Sequence, residues 1–485
     1  MQINRRAFLA ASSLAPFQMV GGVPPKTYPG YLSPIPAMAA PKEKFLFVTC
    51  SYSGMDTWEP DYLATVSVDK SSLDYSSIVS RVCMPVVGDE LFRFGWNVCS
   101  SSHKKLSRRQ FLVLPGMQSG RINIVDVEVP ERLWMHKVVE ATTILDVGGF
   151  SVPYTARPLP SGEILVSMLG DRPRLDNRSD RHGPGFLLLD EHFAPKARWD
   201  SPEGDKVGIN GDFWYQAGAE HPVMIGSAWC EPRACFKTFS LNARNWWDYV
   251  KVWNWKDPAQ MDTIKLGADG KGTLPVRFLH KPTAPTAFVA AAISGTVWRL
   301  QAWNRARYKA TKVISVDPVE MAGRSIPALT TDMIISMNDR FLYISNWLHG
   351  DVRQYDLTDP EKPKLADQIF LGGQLGRSIE LDGKKLWGGP HYGEKLWGGP
   401  QSLQLSLDGR RLYVTNSFFS AWDNRFYPEI GKIGSWMMQI DCDPNKGGMK
   451  INGDFFVDFG KEPCGPSRAR EIHCDGGDCT SDIFV

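Results

Sequence analysis

Apolar and polar residues alternate in short runs along almost the whole chain, and Gly, Pro, Asn or Asp marks most of the boundaries. A period of two predicts half-buried strands, and the punctuation predicts turns between them. Runs at 45–49, 61–69, 110–114, 121–127, 163–168 and 185–189 open the series. Others follow at 223–229, 249–255, 276–279, 287–292, 296–301, 403–414, 435–441 and 454–459. The clearest pair lies within 332–356. There Phe341-Leu342-Tyr343-Ile344 follows a polar turn at Asn338-Asp339, and a second strand is predicted over 351–355. Trp347-Leu348-His349-Gly350 connects the two, which places a histidine where it can face a cavity. Helical patterns are short and confined to 130–140 and 239–246.

Part of this pair recurs. Ser336, Arg340, Leu342, Tyr343 and Asn346 return at the same spacing as Ser406, Arg410, Leu412, Tyr413 and Asn416. Many short strands with an internal repeat predict an all-β fold of β-propeller type, in which a site lies in the central channel. A sandwich or a two-domain all-β protein is the competing architecture. The repeat offset exceeds one ordinary blade, so either a blade carries an insertion or the repeat skips a blade boundary. The Lys-Leu-Trp-Gly-Gly-Pro run at 385–390, duplicated at 395–400, favours the insertion.

Composition narrows the function classes. A formal net charge of +2 over 485 residues gives no electrostatic support for a nucleic-acid partner. No stretch is long and apolar enough to predict a membrane-spanning helix. The cysteines are odd in number at 9, so complete pairing is impossible, and no Cys-x-x-Cys occurs to suggest a zinc knuckle or redox motif. Free thiols are expected for most of them, including Cys230 and Cys235, while Cys474 and Cys479 flank Gly476-Gly477 and are placed to approach one another. Asp332, Asp351 and Asp356 read as turn and edge residues, and Lys104-Lys105 with Arg108-Arg109 as a solvated basic loop, like the charged stretch 171–181. At the N-terminus, Arg5-Arg6-Ala7-Phe8-Leu9 precedes a small-residue run over 10–23. Two readings stand: a twin-arginine signal for export to the periplasm, or a disordered start on a cytoplasmic protein.

Longer motifs then occur in order. They include Phe94-Gly95-Trp96-Asn97, Asp212-Phe213-Trp214-Tyr215-Gln216, Arg277-Phe278-Leu279-His280, Ser345-Asn346-Trp347-Leu348-His349-Gly350-Asp351, Ser420-Ala421-Trp422-Asp423, Val457-Asp458-Phe459-Gly460 and Gly476-Gly477-Asp478-Cys479. Together they resemble the selenium-binding protein / methanethiol oxidase family from about Tyr28 onward. The resemblance implies a seven-bladed, WD40- or YVTN-like propeller with short helical insertions. It would form one domain over 28–485, behind a leader or disordered segment at 1–27. It also implies a copper cofactor, with oxidation of methanethiol by oxygen and water to formaldehyde, hydrogen sulfide and hydrogen peroxide. Selenium species, or another small thiol or selenium compound, would be bound at cysteine thiols.

The chain departs from the family pattern where that chemistry would sit. A double histidine before the Gly-Trp-Asn motif is Phe92-Arg93 here. A His-Thr-x-His pair is represented by Tyr154 and Arg157, and a histidine before the final Glu by Arg470. Ser102 replaces the second cysteine of a Cys-Ser-Ser-Cys motif, which leaves Cys99 as the expected selenium-binding thiol. His280 and His349 are retained and are the expected metal ligands, with His103, His473 and Cys474 near altered positions as substitutes. Arginine is permanently cationic and offers no lone pair to a metal. Three functions follow: a copper thiol oxidase with a rearranged site; an inactive relative that binds selenium, a thiol or an anion; or a propeller that docks protein partners. No residue is assigned as catalytic.

Overall fold

A computed structural model describes residues 30–484, apart from 53, 56–57, 103–107, 171–183, 202–210, 217–221, 231–245, 260, 305–306, 382–383 and 388–395. Seven four-stranded antiparallel sheets follow one another as the blades of a propeller. Blade 1 joins distant parts of the chain. Phe45–Ser51, Pro60–Ser67 and Ser77–Val87 are its outer three strands, and Arg468–Cys474 is its innermost. Phe47 pairs with His473 and Val48 with Ile472, which closes the ring with backbone hydrogen bonds.

Blades 2 to 7 are each continuous in sequence and run from the innermost strand outward. Blade 2 holds Gly95–Trp96, Phe111–Pro115, Ile122–Asp126 and Trp134–Val139. Blade 3 holds Pro153–Pro158, Ile164–Met168, Gly185–Leu189 and Pro195–Arg198. Blade 4 holds Phe213–Gln216, Val223–Ser227, Tyr249–Asn254 and Met261–Lys265. Blade 5 holds Thr273–Phe278, Thr286–Ala291, Thr296–Asn304 and Arg307–Ser315. Blade 6 holds Thr330–Ile335, Phe341–Asn346, Asp351–Asp356 and Lys364–Phe370, and blade 7 Leu403–Leu405, Arg411–Thr415, Trp436–Cys442 and Met449–Asp458.

Burial grades outward. The innermost strands Pro153–Pro158, Thr273–Phe278 and Arg468–Cys474 are buried throughout, whereas the outermost Ser77–Val87 and Lys364–Phe370 are exposed or half-buried along nearly their whole length. Apolar side chains of adjacent sheets interdigitate between blades. One such cluster sets Phe186, Phe213 and Trp253 edge to face, with centroids 5.1 Å apart in both pairs involving Phe186. The innermost strands approach closely. A Cβ at Gly95 would collide with the carbonyl oxygen of Ala156 on the next blade, so only glycine fits there.

The alternating runs form strands as expected, with one helical prediction reversed. The stretch 130–140 contains the outer strand Trp134–Val139, and the helix Ala141–Gly148 begins only after it. Trp134 and the Val138-Val139 pair suit an extended edge better than a helix. Most of 239–246, the stretch 171–181 and the possible leader at 1–27 lie outside the described residues.

The repeat falls in consecutive blades. Ser336 and Ser406 each turn the first hairpin of their blade: their hydroxyls bond Asn338 and Asp408, both at 2.7 Å, and accept from the amides of Phe341 and Arg411. The long offset comes from an insertion, the two-stranded ribbon Ser378–Leu381 and Lys384–Trp387 with the chain that follows it. The first Lys-Leu-Trp copy is that ribbon's second strand.

Candidate functional site: a closed ring of charge on the axis

The innermost strands bring ionisable residues to the axis, where water is excluded. Arg93, just before Gly95–Trp96, donates from Nη1 to Glu471 at 2.8 Å and faces Asp332 across 3.4 Å. Arg277 of blade 5 lies 3.6 Å from the same Asp332 and makes a tighter ion pair with Asp212 of blade 4. Arg157 of blade 3 donates to Asp212 at 2.8 Å and to the Phe213 carbonyl at 2.6 Å. The carboxylates also accept backbone hydrogens: Glu471 from Phe94 at 2.5 Å, Asp212 from Val276 at 3.2 Å, and Asp332 from Leu403 of blade 7 at 2.9 Å. Every blade therefore contributes to one network in which Arg93, Arg157 and Arg277 are balanced by Asp212, Asp332 and Glu471.

Burial on this scale would ordinarily neutralise carboxylates. Burial does push Asp212 upward, but Arg277 and Arg157 outweigh it and hold its carboxyl well below the usual range. Burial likewise opposes the charge on Arg93, and Asp332 and Glu471 more than restore it. Trp214 supplies a π-face to two of the cations, with its ring 4.3 Å from Arg157 Cζ and 5.2 Å from Arg277 Cζ.

A second layer is aromatic. Phe92 stacks on Tyr154 with centroids 5.9 Å apart and planes at 10°, and meets Phe419 at 4.8 Å. The guanidiniums of Arg93 and Arg470 approach the Phe92 ring at 5.3 and 5.9 Å. Arg470 is itself paired with Glu90 at 2.8 Å and donates to the Leu91 carbonyl at 2.5 Å. Burial raises the Tyr154 phenol, so it stays protonated beside Arg93. The altered positions Phe92, Arg93, Tyr154 and Arg470 thus converge, and Arg157 joins them through Asp212 and Arg277.

His280 and His349 stand apart from this centre and from each other. His280 Nε2 lies 3.1 Å from the carbonyl of Ile335, at one end of the innermost strand of blade 6. His349 follows Asn346, which pairs with Thr330 at the other end, and its Nε2 lies 2.9 Å from the Ile326 carbonyl. The two ends are about 17 Å apart at about 3.4 Å per residue. A carbonyl partner requires each Nε2 to carry a hydrogen. Burial lowers the His349 pKa and keeps the ring neutral. The two histidines do not form a ligand pair.

Cys99 is 1% exposed, its Sγ lies 3.6 Å from the Tyr215 hydroxyl, and burial pushes its thiol upward. Of the suggested substitutes, His103 lies outside the described residues, and Cys474 is buried with a strongly raised thiol pKa. His473 is held at both nitrogens by acceptors, Asp478 at 2.8 Å and the Phe94 carbonyl at 3.1 Å. Burial opposes its charge, but Asp478 outweighs burial and lifts the pKa above the ordinary 6.5. With an acceptor at each nitrogen, the ring is held by its neighbours on both sides and offers a metal no free lone pair.

The chain after Cys474 folds back onto the axis. The Thr480 carbonyl accepts from Arg157 at 3.1 Å, and Asp482 pairs with Arg109 at 2.6 Å. Cys474 and Cys479 are separate free thiols, whereas Cys230 is disulfide-bonded, contrary to the expectation of a free thiol there. Two further readings need correction. Arg109 is 6% exposed rather than solvated, and Asp332 is a ring member on an innermost strand rather than a turn residue. Asp212 and Arg277 lay within the quoted motifs and Glu471 beside Arg470. Nothing in the neighbouring sequence marks these carboxylates as partners of the arginines; closure of the ring brings them together.

The family described as the 56 kDa selenium binding protein matches residues 25–485. The chain belongs to that family. It is 46% identical to selenium-binding protein 1 of Arabidopsis thaliana over 482 residues, covering 94% of this chain and 95% of the relative. It is 45% identical to a Xenopus tropicalis protein named methanethiol oxidase, covering 94% of this chain and 98% of the relative. A crystal structure of a hypothetical selenium-binding protein from Sulfolobus tokodaii superposes with a TM-score of 0.81 at 33% identity, over 94% of this chain and 98% of that one.

The residues present at this family member's axis do not fit copper. The guanidiniums cannot ligate, and the ring carboxylates accept from guanidinium and backbone N–H groups. Among the described residues no three His, Cys, Asp or Glu side chains gather as a metal site.

Two outcomes follow. Asp332→Asn removes a charge shared by two buried cations and should destabilise the fold by about 3 kcal/mol, the lower end for breaking a buried pair because Arg93 and Arg277 each keep another carboxylate. Denaturant unfolding measures it, and a change below about 0.5 kcal/mol, ordinary for a surface site, would contradict the ring. His473 gives a pH signature. Its raised folded pKa makes its stabilisation complete below the ordinary 6.5 and lost as pH rises through the folded value. Asp478, lowered to about 2 from 3.8, contributes above the ordinary value and fails only as pH falls through about 2. The melting-temperature gap between wild type and His473→Gln should therefore be widest below the ordinary 6.5 and narrow as pH rises through the folded value.

Proposed function

We propose that this protein binds thiol or selenium compounds and does not oxidise them through copper. One observation carries the reading. At the axis, the positions where the family pattern has histidine hold two aromatic rings and three guanidiniums, and those cations are matched by buried carboxylates. Oxygen reacts poorly with closed-shell thiols without a redox metal, and this donor set offers a metal nothing to bind. The matching of charge also argues against an anion as the ligand, because a guanidinium already paired to a carboxylate has little unbalanced charge to give. The family context supports the thiol and selenium part of the reading.

The test is direct. Protein produced with added copper and then dialysed should carry copper far below stoichiometry and form no more hydrogen peroxide from methanethiol than buffer does. Stoichiometric copper with methanethiol-dependent peroxide would overturn the proposal. Selenite labelling should persist in the metal-free protein. Its absence would remove the binding half of the reading. Cys99→Ser should leave native-state labelling unchanged, since that thiol is buried and its pKa raised; a loss would restore Cys99 as the site.

A further inference from the structure

Blade 1 carries a group of thiols that the axis does not use. Cys50, Tyr62 and Cys83 are direct neighbours across its three outer strands, so their side chains share one face of the sheet. Cys50 is buried, and Cys83 is exposed. The Tyr62 hydroxyl reaches out from this face to Glu462 at 2.7 Å and to Ser467 at 2.8 Å. Arg81, two residues before Cys83 on the same strand, binds Glu462 through Nε at 2.6 Å and Nη2 at 2.8 Å. The segment that Tyr62 and Arg81 grip contains Cys464, which is also exposed. A turn closed by the Gly465 amide on the Glu462 carbonyl at 3.0 Å presents it.

The two exposed thiols therefore flank one ion pair, Cys83 from the strand side and Cys464 from the loop side. Burial is the main cause that raises the Cys83 thiol. The other described cysteines are buried or already disulfide-bonded.

We propose that Cys83 and Cys464 form a surface dithiol that closes to a disulfide by exchange with small-molecule disulfides, stapling blade 1 to the segment that leads into its closing strand. One thiolate attacks the small disulfide, forms a mixed disulfide and releases one small thiol. The second protein thiolate attacks the protein sulfur of that mixed disulfide and releases the other. Two electrons pass from the protein to the small disulfide, and the two thiol protons leave on the released thiols. The staple joins Ser77–Val87 to the loop just before Arg468–Cys474, so it acts at the seam of the ring. It is independent of what the axis binds.

The experiment uses the full chain and oxidised glutathione. Native protein should lose both exposed thiols on treatment. Peptide mapping without reduction should recover a Cys83–Cys464 cross-link, and dithiothreitol should reverse it. Melting temperature should rise on oxidation and return on reduction. Cys83→Ser and Cys464→Ser should each stop at a stable glutathione adduct on the remaining cysteine. Independent glutathione adducts at both positions in the wild type, with no cross-linked peptide, would overturn the proposal, as would no modification at all.

Discussion

A guanidinium cannot be buried alone, and the axis of this propeller obeys that constraint. Arg93, Arg157 and Arg277 are out of water, so each needs a carboxylate within reach. Those carboxylates come from other blades: Glu471 from blade 1, Asp212 from blade 4 and Asp332 from blade 6. The pairing forces the innermost strands into one relative arrangement and leaves little freedom for any blade to shift by itself. Backbone amides of Phe94, Val276 and Leu403 complete the acceptors, so the constraint extends into the sheets.

The same constraint governs chemistry. A centre that binds a redox metal needs neutral donors with free lone pairs and an open position. The axis here has charge-paired cations, protonated phenol and stacked rings instead. The replacements act together: Phe92 lies against both Arg93 and Arg470, and Tyr154 stacks on Phe92. Restoring one histidine would leave its neighbours unsuited to a metal and would leave Glu471 or Glu90 without its partner. An identity of 45% to a protein named methanethiol oxidase thus coexists with an axis held by paired arginines and carboxylates.

The fold was legible where a strand is well buried and bounded by turn residues. Phe341–Asn346 and Asp351–Asp356 matched their predicted positions closely because apolar residues there lie between the Asn338-Asp339 turn and Gly350. Outer strands such as Ser77–Val87 and Pro195–Arg198 lay hidden because both faces are partly wet and the pattern weakens. The site was legible as a set of altered positions, Phe92, Arg93, Tyr154, Arg157 and Arg470, because motif spacing survives replacement. What replaced the histidines' role was not legible. Asp212 and Asp332 meet Arg277 only through the closure of the ring, and no local spacing encodes that. His280 and His349 were prominent as residue types, yet each is engaged by a backbone carbonyl at an opposite end of blade 6.

The pairing of Phe45–Ser51 with Arg468–Cys474 has a consequence for the order in which the molecule is made. Synthesis runs from the N-terminus, so three strands of the first blade emerge long before their fourth. Until then Glu471 is absent, and Arg93 waits without one of its two acidic neighbours. The emerging sheet meanwhile presents an unpaired edge at Phe45–Ser51, the kind of surface on which chains mispair. Contacts between residues so far apart in sequence form slowly. The early blades face a long interval of exposure that the finished ring gives no sign of.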